Sequence, residues 1–182
     1  MEKKSNVYQM AIIGIMAAVI CILGPLSIPI GVVPISFTNL AIYFVLYTLG
    51  MKKGTISYII YILIGFIGLP VFSGFTSGPS KLLGPTGGYI IGFIFMSLIA
   101  GFFIDNFFHK WYLCFVGMVL GTVVCYMFGT IWLSYQANLS ASSALAAGVI
   151  PFIPGDLVKI LIATFIGSQI RKRLIKANLF HA

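Results

Sequence analysis

Charge is what this sequence has least of. Only 8% of its 182 residues are Asp, Glu, Lys or Arg, and three are acidic: Glu2, Asp105 and Asp156. A soluble domain carries about 25% charged and about 45–50% apolar residues. Here 60% of residues belong to the hydrophobic set, and mean hydropathy is +1.09. A soluble domain of this length has too little interior to hide that much apolar surface. The chain is therefore built for lipid, with no length left for a separate soluble domain.

Other scarcities narrow the chemistry. The two histidines, His109 and His181, fall near inner-side helix ends, remote from any cluster that would hold a metal or activate a serine. The three cysteines (Cys21, Cys114, Cys125) sit in apolar runs without paired or metal-like spacing. They read as free thiols packed as small hydrophobes. A G-x-x-x-x-G-K-[ST] run is absent, which removes that route to cradling ATP phosphates. No second intramembrane Asp accompanies Asp156, so a paired-carboxylate membrane protease is excluded. No catalytic constellation, metal site or cofactor site is expected.

What is abundant is apolar sequence in long, charge-free runs. A helix needs about 20 apolar residues to cross a ~30 Å hydrocarbon core. Six candidate spans run over 8–24, 35–50, 55–69, 86–104, 112–134 and 149–170. The second and third are short, as for helices that end inside the protein or in a thinned membrane. The runs lack the alternation of a barrel. The first, behind Lys3 and Lys4, has no small-residue cleavage site and reads as a retained helix. Lys3, Lys4, Lys52, Lys53, Lys110, Arg171, Lys172, Arg173 and Lys176 flank one side of these spans, and Lys81 alone the other. The positive-inside rule then puts both termini in the cytoplasm. The net charge of +8 is a topology signal and an anionic-lipid contact, not a nucleic-acid footprint.

The two main outer connections differ from ordinary polar loops. Residues 24–34 are Pro- and Gly-rich and nearly all apolar, and residues 68–88 are long and Gly-rich. Irregular backbone at membrane depth persists where it lines a cavity or is buried in protein. These loops are expected to lid a pocket on the outer side. Beneath them lies Asp156, after Pro151, Pro154 and Gly155, with Lys159 three residues on and on the same helical face. Lys159 is 12 residues from Arg171, roughly 18 Å along a helix axis. A charge at that depth costs at least about 2.5–3.5 kcal/mol, so it faces a partner or a cavity. Two readings stand: a structural Asp156–Lys159 ion pair, or a ligand site that uses it.

In Leu83-Gly-Pro-Thr-Gly-Gly-Tyr89, Pro85 suits a first helical turn and Thr86 can accept from free N–H groups there. Gly87 and Gly88 permit close approach of either a helix or a ligand. In the first span Ala11, Gly14, Ala17, Ala18 and Cys21 are small. Gly14 and Ala18, four apart, form a stripe that serves internal packing or docking to another membrane subunit. Asn138-Leu-Ser140 matches a glycosylation acceptor, a pattern common by chance.

Together Gly-Leu-Pro-Val-Phe-Ser-Gly (68–74), Leu-Leu-Gly-Pro-Thr-Gly-Gly-Tyr-Ile-Ile-Gly-Phe (82–93) and Phe-Ile-Pro-Gly-Asp-Leu-Val-Lys (152–159) resemble the signatures of the BioY family. Its members are the biotin-binding S components of energy-coupling factor (ECF) transporters. The 33–40 stretch is similar but less close, with Ser36 and Thr38 where family members usually carry Thr and Gln. Phe75, Pro79 and Lys81 also depart from a loop that is often smaller and richer in glycine. The resemblance implies an all-α membrane protein of six transmembrane helices, N-in and C-in, in a prokaryotic cell membrane. It would capture biotin from outside and have no enzymatic activity of its own. The implied partners are a transmembrane coupling protein and a pair of ATPases, with Gly14 and Ala18 as the docking motif, and the S component tipping over to deliver its vitamin. Implied ligand contacts are Asp156 to the ureido N–H groups, Lys159 or Lys81 to the carboxylate, and Phe72, Phe75 and Tyr89 over the ring. Ser77, Thr86, Gly87 and Gly88 complete the set. The alternatives are an S component for another small carboxylated vitamin, or a self-sufficient facilitator or channel.

Overall fold

A computed structural model describes residues 6–177 and residue 179. Glu2, Lys3, Lys4 and His181 lie outside the described residues, so that part of the expected charge pattern does too. The architecture is helical: α1 (Asn6–Leu23), α2 (Thr38–Leu49), α3 (Met51–Phe66), α4 (Pro79–Leu83), α5 (Gly87–Phe107), α6 (Trp111–Gln136), α7 (Ala141–Gly148), α8 (Ile153–Ile162) and α9 (Ser168–Lys176). Between α8 and α9 the helix widens into one π-helical stretch, Ala163–Gly167. Among the described residues four helices are long and apolar enough to cross a membrane: Asn6–Leu23, Gly87–Phe107, Trp111–Gln136 and the continuous Ile153–Lys176.

Several boundaries differ from the sequence expectation for physical reasons. The second run starts as a helix at Thr38, because Ile35 and Ser36 form β2 (Ile35–Ser36), paired antiparallel with β1 (Ser27–Ile28). That ladder gives the apolar first loop its backbone partners. The third run is helical from Met51, so Lys52 and Lys53 are inside the helix, and it ends at Phe66. The last run begins at Ile153, not 149, and its helix continues to Lys176. Two short helices, α4 and α7, occupy stretches too brief to announce a period.

α2 is the hub. Tyr43, Leu46 and Tyr47 are fully buried, as are most of its other residues, which explains why a 12-residue helix suffices there. Around it α5 and α6 pack as an antiparallel pair joined by a three-residue turn, using glycines as contact points. A Cβ on Gly92 would stand 3.0 Å from the Cα of Cys125, and one on Gly121 would stand 3.0 Å from the carbonyl oxygen of Met96. Small residues let backbones approach where lipid supplies no hydrophobic drive for association. Buried hydroxyls bond across the bundle: Tyr43 to Thr122 (2.6 Å), Tyr58 to the Ile90 carbonyl (2.8 Å) and Ser97 to Thr55 (3.1 Å).

At the end of the bundle near the α2–α3 junction, Arg171 of α9 pairs with Asp105 of α5 at 2.8 Å. The other Asp105 oxygen accepts the Met51 backbone N–H, also at 2.8 Å. Gly50, at φ +80°, makes the sharp α2–α3 junction beside this carboxylate, where a side chain would be both strained and crowded. The guanidinium also lies 5.0 Å from the Phe108 ring centroid.

Candidate functional site

At the end of the bundle away from Arg171, α8 begins with Pro154 in its first turn. Asp156 and Lys159 follow on one helical face, and the Nζ of Lys159 lies 2.9 Å from Asp156 Oδ1. The ammonium donates twice more, to the Ser36 carbonyl (2.7 Å) and to Asn39 Oδ1 (3.2 Å). All three of its donors are thereby engaged. Tyr126 of α6 donates to Asp156 Oδ2 at 2.7 Å. A carboxylate offers about four lone-pair sites, so Asp156 keeps accepting capacity while Lys159 is saturated. Both side chains are about nine-tenths buried, at 9% and 11% exposure for Lys159 and Asp156.

The pair forms part of the wall of a cavity of about 70 Å³. One wall is an aromatic chain. Phe72 meets Tyr61 edge-on (5.5 Å between centroids), Tyr61 stacks on Tyr58 (5.5 Å), and Tyr58 meets Phe93 edge-on (6.1 Å). Phe72 comes from the second outer loop and is fully buried against Gly65. Thr122, Cys125 and Tyr126 of α6 also line the cavity, with Thr86, Tyr89 and Ile90 at the start of α5. The cavity is narrow beside the ~300–1,000 Å³ of small-molecule pockets, so a ligand of vitamin size requires its walls to part. Val33, Pro34, Ser36, Phe72 and Ser73 bring the two outer connections into the wall.

Of the residues singled out from sequence, Asp156, Lys159, Phe72, Thr86 and Tyr89 line this cavity. Phe75, Ser77, Lys81, Gly87 and Gly88 are not in its lining. Phe75 is 66% exposed at positive φ (57°) on the loop surface. Lys81 is on α4, where partial burial lowers its pKa from the ordinary lysine value. Gly87 and Gly88 pack against Leu82 and Trp132, the helix-contact reading of those glycines. The expected capping by Thr86 is not made: its side chain bonds no helical N–H, and its buried hydroxyl has no partner among the described residues. Pro85 precedes the helix rather than occupying its first turn.

Sequence reading missed Asn39, Tyr58, Tyr61, Phe93 and Tyr126. Tyr58 and Tyr61 share a helical face at i, i+3, and Tyr126 is a phenol inside an apolar span. Those were the available signals. Ser36 reaches Lys159 through its carbonyl, so its side-chain departure leaves that bond intact. Gly14 and Ala18 are exposed on α1, with open space where a Gly14 Cβ would be. Among the described residues no three His, Cys, Asp or Glu gather as metal ligands would.

A model of the BioY family matches residues 1–176. The chain is 32% identical over 176 residues to the biotin transporter BioY2 of Lactococcus lactis subsp. cremoris, covering 97% of each. It is 35% identical over 162 residues to the biotin transporter BioY of Thermotoga maritima, covering 87% of this chain and 93% of that one. It is also similar to the crystal structure of the S-component for biotin from an ECF-type ABC transporter. There the TM-score is 0.85 at 35% identity, over 94% of this chain and 95% of that chain.

Proposed function

The chain belongs to the BioY family, and from that membership we propose that it is the S component of an ECF-type transporter, capturing biotin for uptake. It is a multi-pass membrane protein of a transporter family, not an enzyme. The finer reading has six spans with both termini cytoplasmic in a prokaryotic plasma membrane. α2 and α3 are the two short spans, and the loop-lidded cavity opens outward. ATP hydrolysis falls to a pair of partner ATPases, acting through a transmembrane coupling protein that docks on the Gly14–Ala18 stripe.

The observation that carries the ligand assignment is the division of labour in the Asp156–Lys159 pair. Biotin's ureido group presents two N–H donors. Asp156 has lone pairs left to accept them, while Lys159, fully bonded, holds the carboxylate in place. The aromatic wall suits the fused ring, and the unpartnered Thr86 hydroxyl is a free donor for the ligand's remaining oxygen atoms. The carboxylate tail reaches Lys159 by displacing Ser36 or Asn39, or meets Lys81 when the loops part.

The test is calorimetry of biotin with the purified full chain in detergent, without the ATPases. Wild type binds one-to-one, and Asp156→Asn and Lys159→Ala each weaken binding tenfold or more, about 1.4 kcal/mol. Unchanged affinity in both folded variants would sink the site assignment. Competition by dethiobiotin or thiamine at equal concentration would reassign the vitamin.

A further inference from the structure

Away from the cavity, α9 turns Gln169, Lys172, Arg173 and Lys176 toward the α5–α6 turn at Phe108 and His109. Together they line a cleft of about 370 Å³. The spacing i, i+3, i+4, i+7 gathers the three cations on one helical face. Among the described residues no counter-charge serves them. The two carboxylates among the described residues, Asp105 and Asp156, are already paired with Arg171 and Lys159. Lys172, Arg173 and Lys176 carry no ion pair among the described residues.

The surroundings fit an amphipathic occupant rather than a soluble anion. Ile175, 45% exposed, gives the cleft an apolar edge. One turn before Gln169, Phe165 is 56% exposed and stacks on Trp111, itself 58% exposed, with centroids 6.3 Å apart. An exposed Trp beside a cluster of basic residues marks the depth where hydrocarbon gives way to head groups. From there the uncovered Ile162 and Ile166 continue along the helix into the hydrocarbon region. A basic cleft and an aromatic-aliphatic track thus meet at the interface.

We propose that this cleft binds the phosphate head group of an anionic phospholipid, such as phosphatidylglycerol, with an acyl chain lying along Trp111 and Phe165. The site requires only that these helices span a bilayer, and it does not depend on the biotin assignment. An acidic segment of a protein partner would use the cations but leave the aromatic track idle.

The test reconstitutes the full chain in phosphatidylcholine vesicles containing a small fraction of acyl-brominated phosphatidylglycerol or, separately, acyl-brominated phosphatidylcholine. Quenching of Trp111 emission is read as the difference between wild type and Trp111→Phe. Each Lys or Arg near an anionic surface is worth about fivefold in affinity. Brominated phosphatidylglycerol is therefore expected to quench at a mole fraction at least tenfold lower than brominated phosphatidylcholine. The triple variant Lys172→Gln/Arg173→Gln/Lys176→Gln loses that preference, whereas Lys52→Gln/Lys53→Gln, removing charge elsewhere, keeps it. Equal quenching by the two lipids in wild type overturns the proposal. So does a preference that survives the triple substitution, or one abolished by millimolar inorganic phosphate, which would indicate a site for soluble anions.

Discussion

Among the described residues two ion pairs have buried cations, and they are built oppositely. Asp156–Lys159 is local, three residues apart on one helix, and borders a cavity. Asp105–Arg171 joins residues 66 apart in sequence and ties α5, α9 and the α2–α3 junction together. In the first pair the lysine is saturated but the carboxylate keeps acceptor capacity at the cavity wall. In the second, the arginine is 4% exposed and stacked on Phe108, and neither partner lines the cavity beside Asp156. Burying a pair costs desolvation on both ions, and removing one partner strands the other. On the reading proposed above, the local pair keeps polar capacity for a ligand, and the long-range pair locks the bundle.

That contrast yields separable effects. The largest is expected for Arg171→Ala, which leaves Asp105 without its cation and costs about 3 kcal/mol of stability. Thermal unfolding in detergent would register a lowered midpoint, with biotin affinity nearly unchanged at temperatures where the variant is folded. A large affinity loss without destabilisation would erase the distinction between lock and site. Asp156→Asn, proposed above, also lowers the midpoint, because Lys159 loses its counter-charge, but there biotin affinity falls even where the variant is folded. Next in size is Tyr126→Phe. Losing one hydrogen bond to Asp156 costs about 1 kcal/mol, near fivefold in biotin affinity. If binding is unaltered, the phenol does not help to orient the carboxylate. The smallest effect belongs to Lys81→Gln, outside the cavity lining, where a change within about 0.5 kcal/mol is expected. A tenfold loss by calorimetry would instead show that α4 swings inward over bound ligand.

Legibility in the sequence followed the range of each interaction. The apolar runs announced the helices, since hydropathy is summed over neighbours along the chain, and an Asp three residues before a Lys announced the local pair. The short helix α4, the β1–β2 ladder and the π-helical stretch at Ala163–Gly167 left no such trace. Each depends on backbone partners or packing supplied from elsewhere. Thr86 illustrates the limit: the residue type suggested a helix cap, yet its hydroxyl is buried at the cavity wall and bonds no helix N–H.

From sequence alone came the solvent of this protein, its helical class, the family resemblance and the one intramembrane carboxylate. All of these are properties of composition or of residues within a turn of each other. Only the tertiary structure decided that Tyr126 and Asn39 hold the two ends of the Asp156–Lys159 pair, that Gly87 and Gly88 serve helix contact, and that Arg171 belongs to Asp105. Those partners lie 30, 120 and 66 residues apart in the hydrogen-bonded cases. Contacts at such separation are fixed by how helices pack, and packing is a property of facing surfaces that no single segment carries.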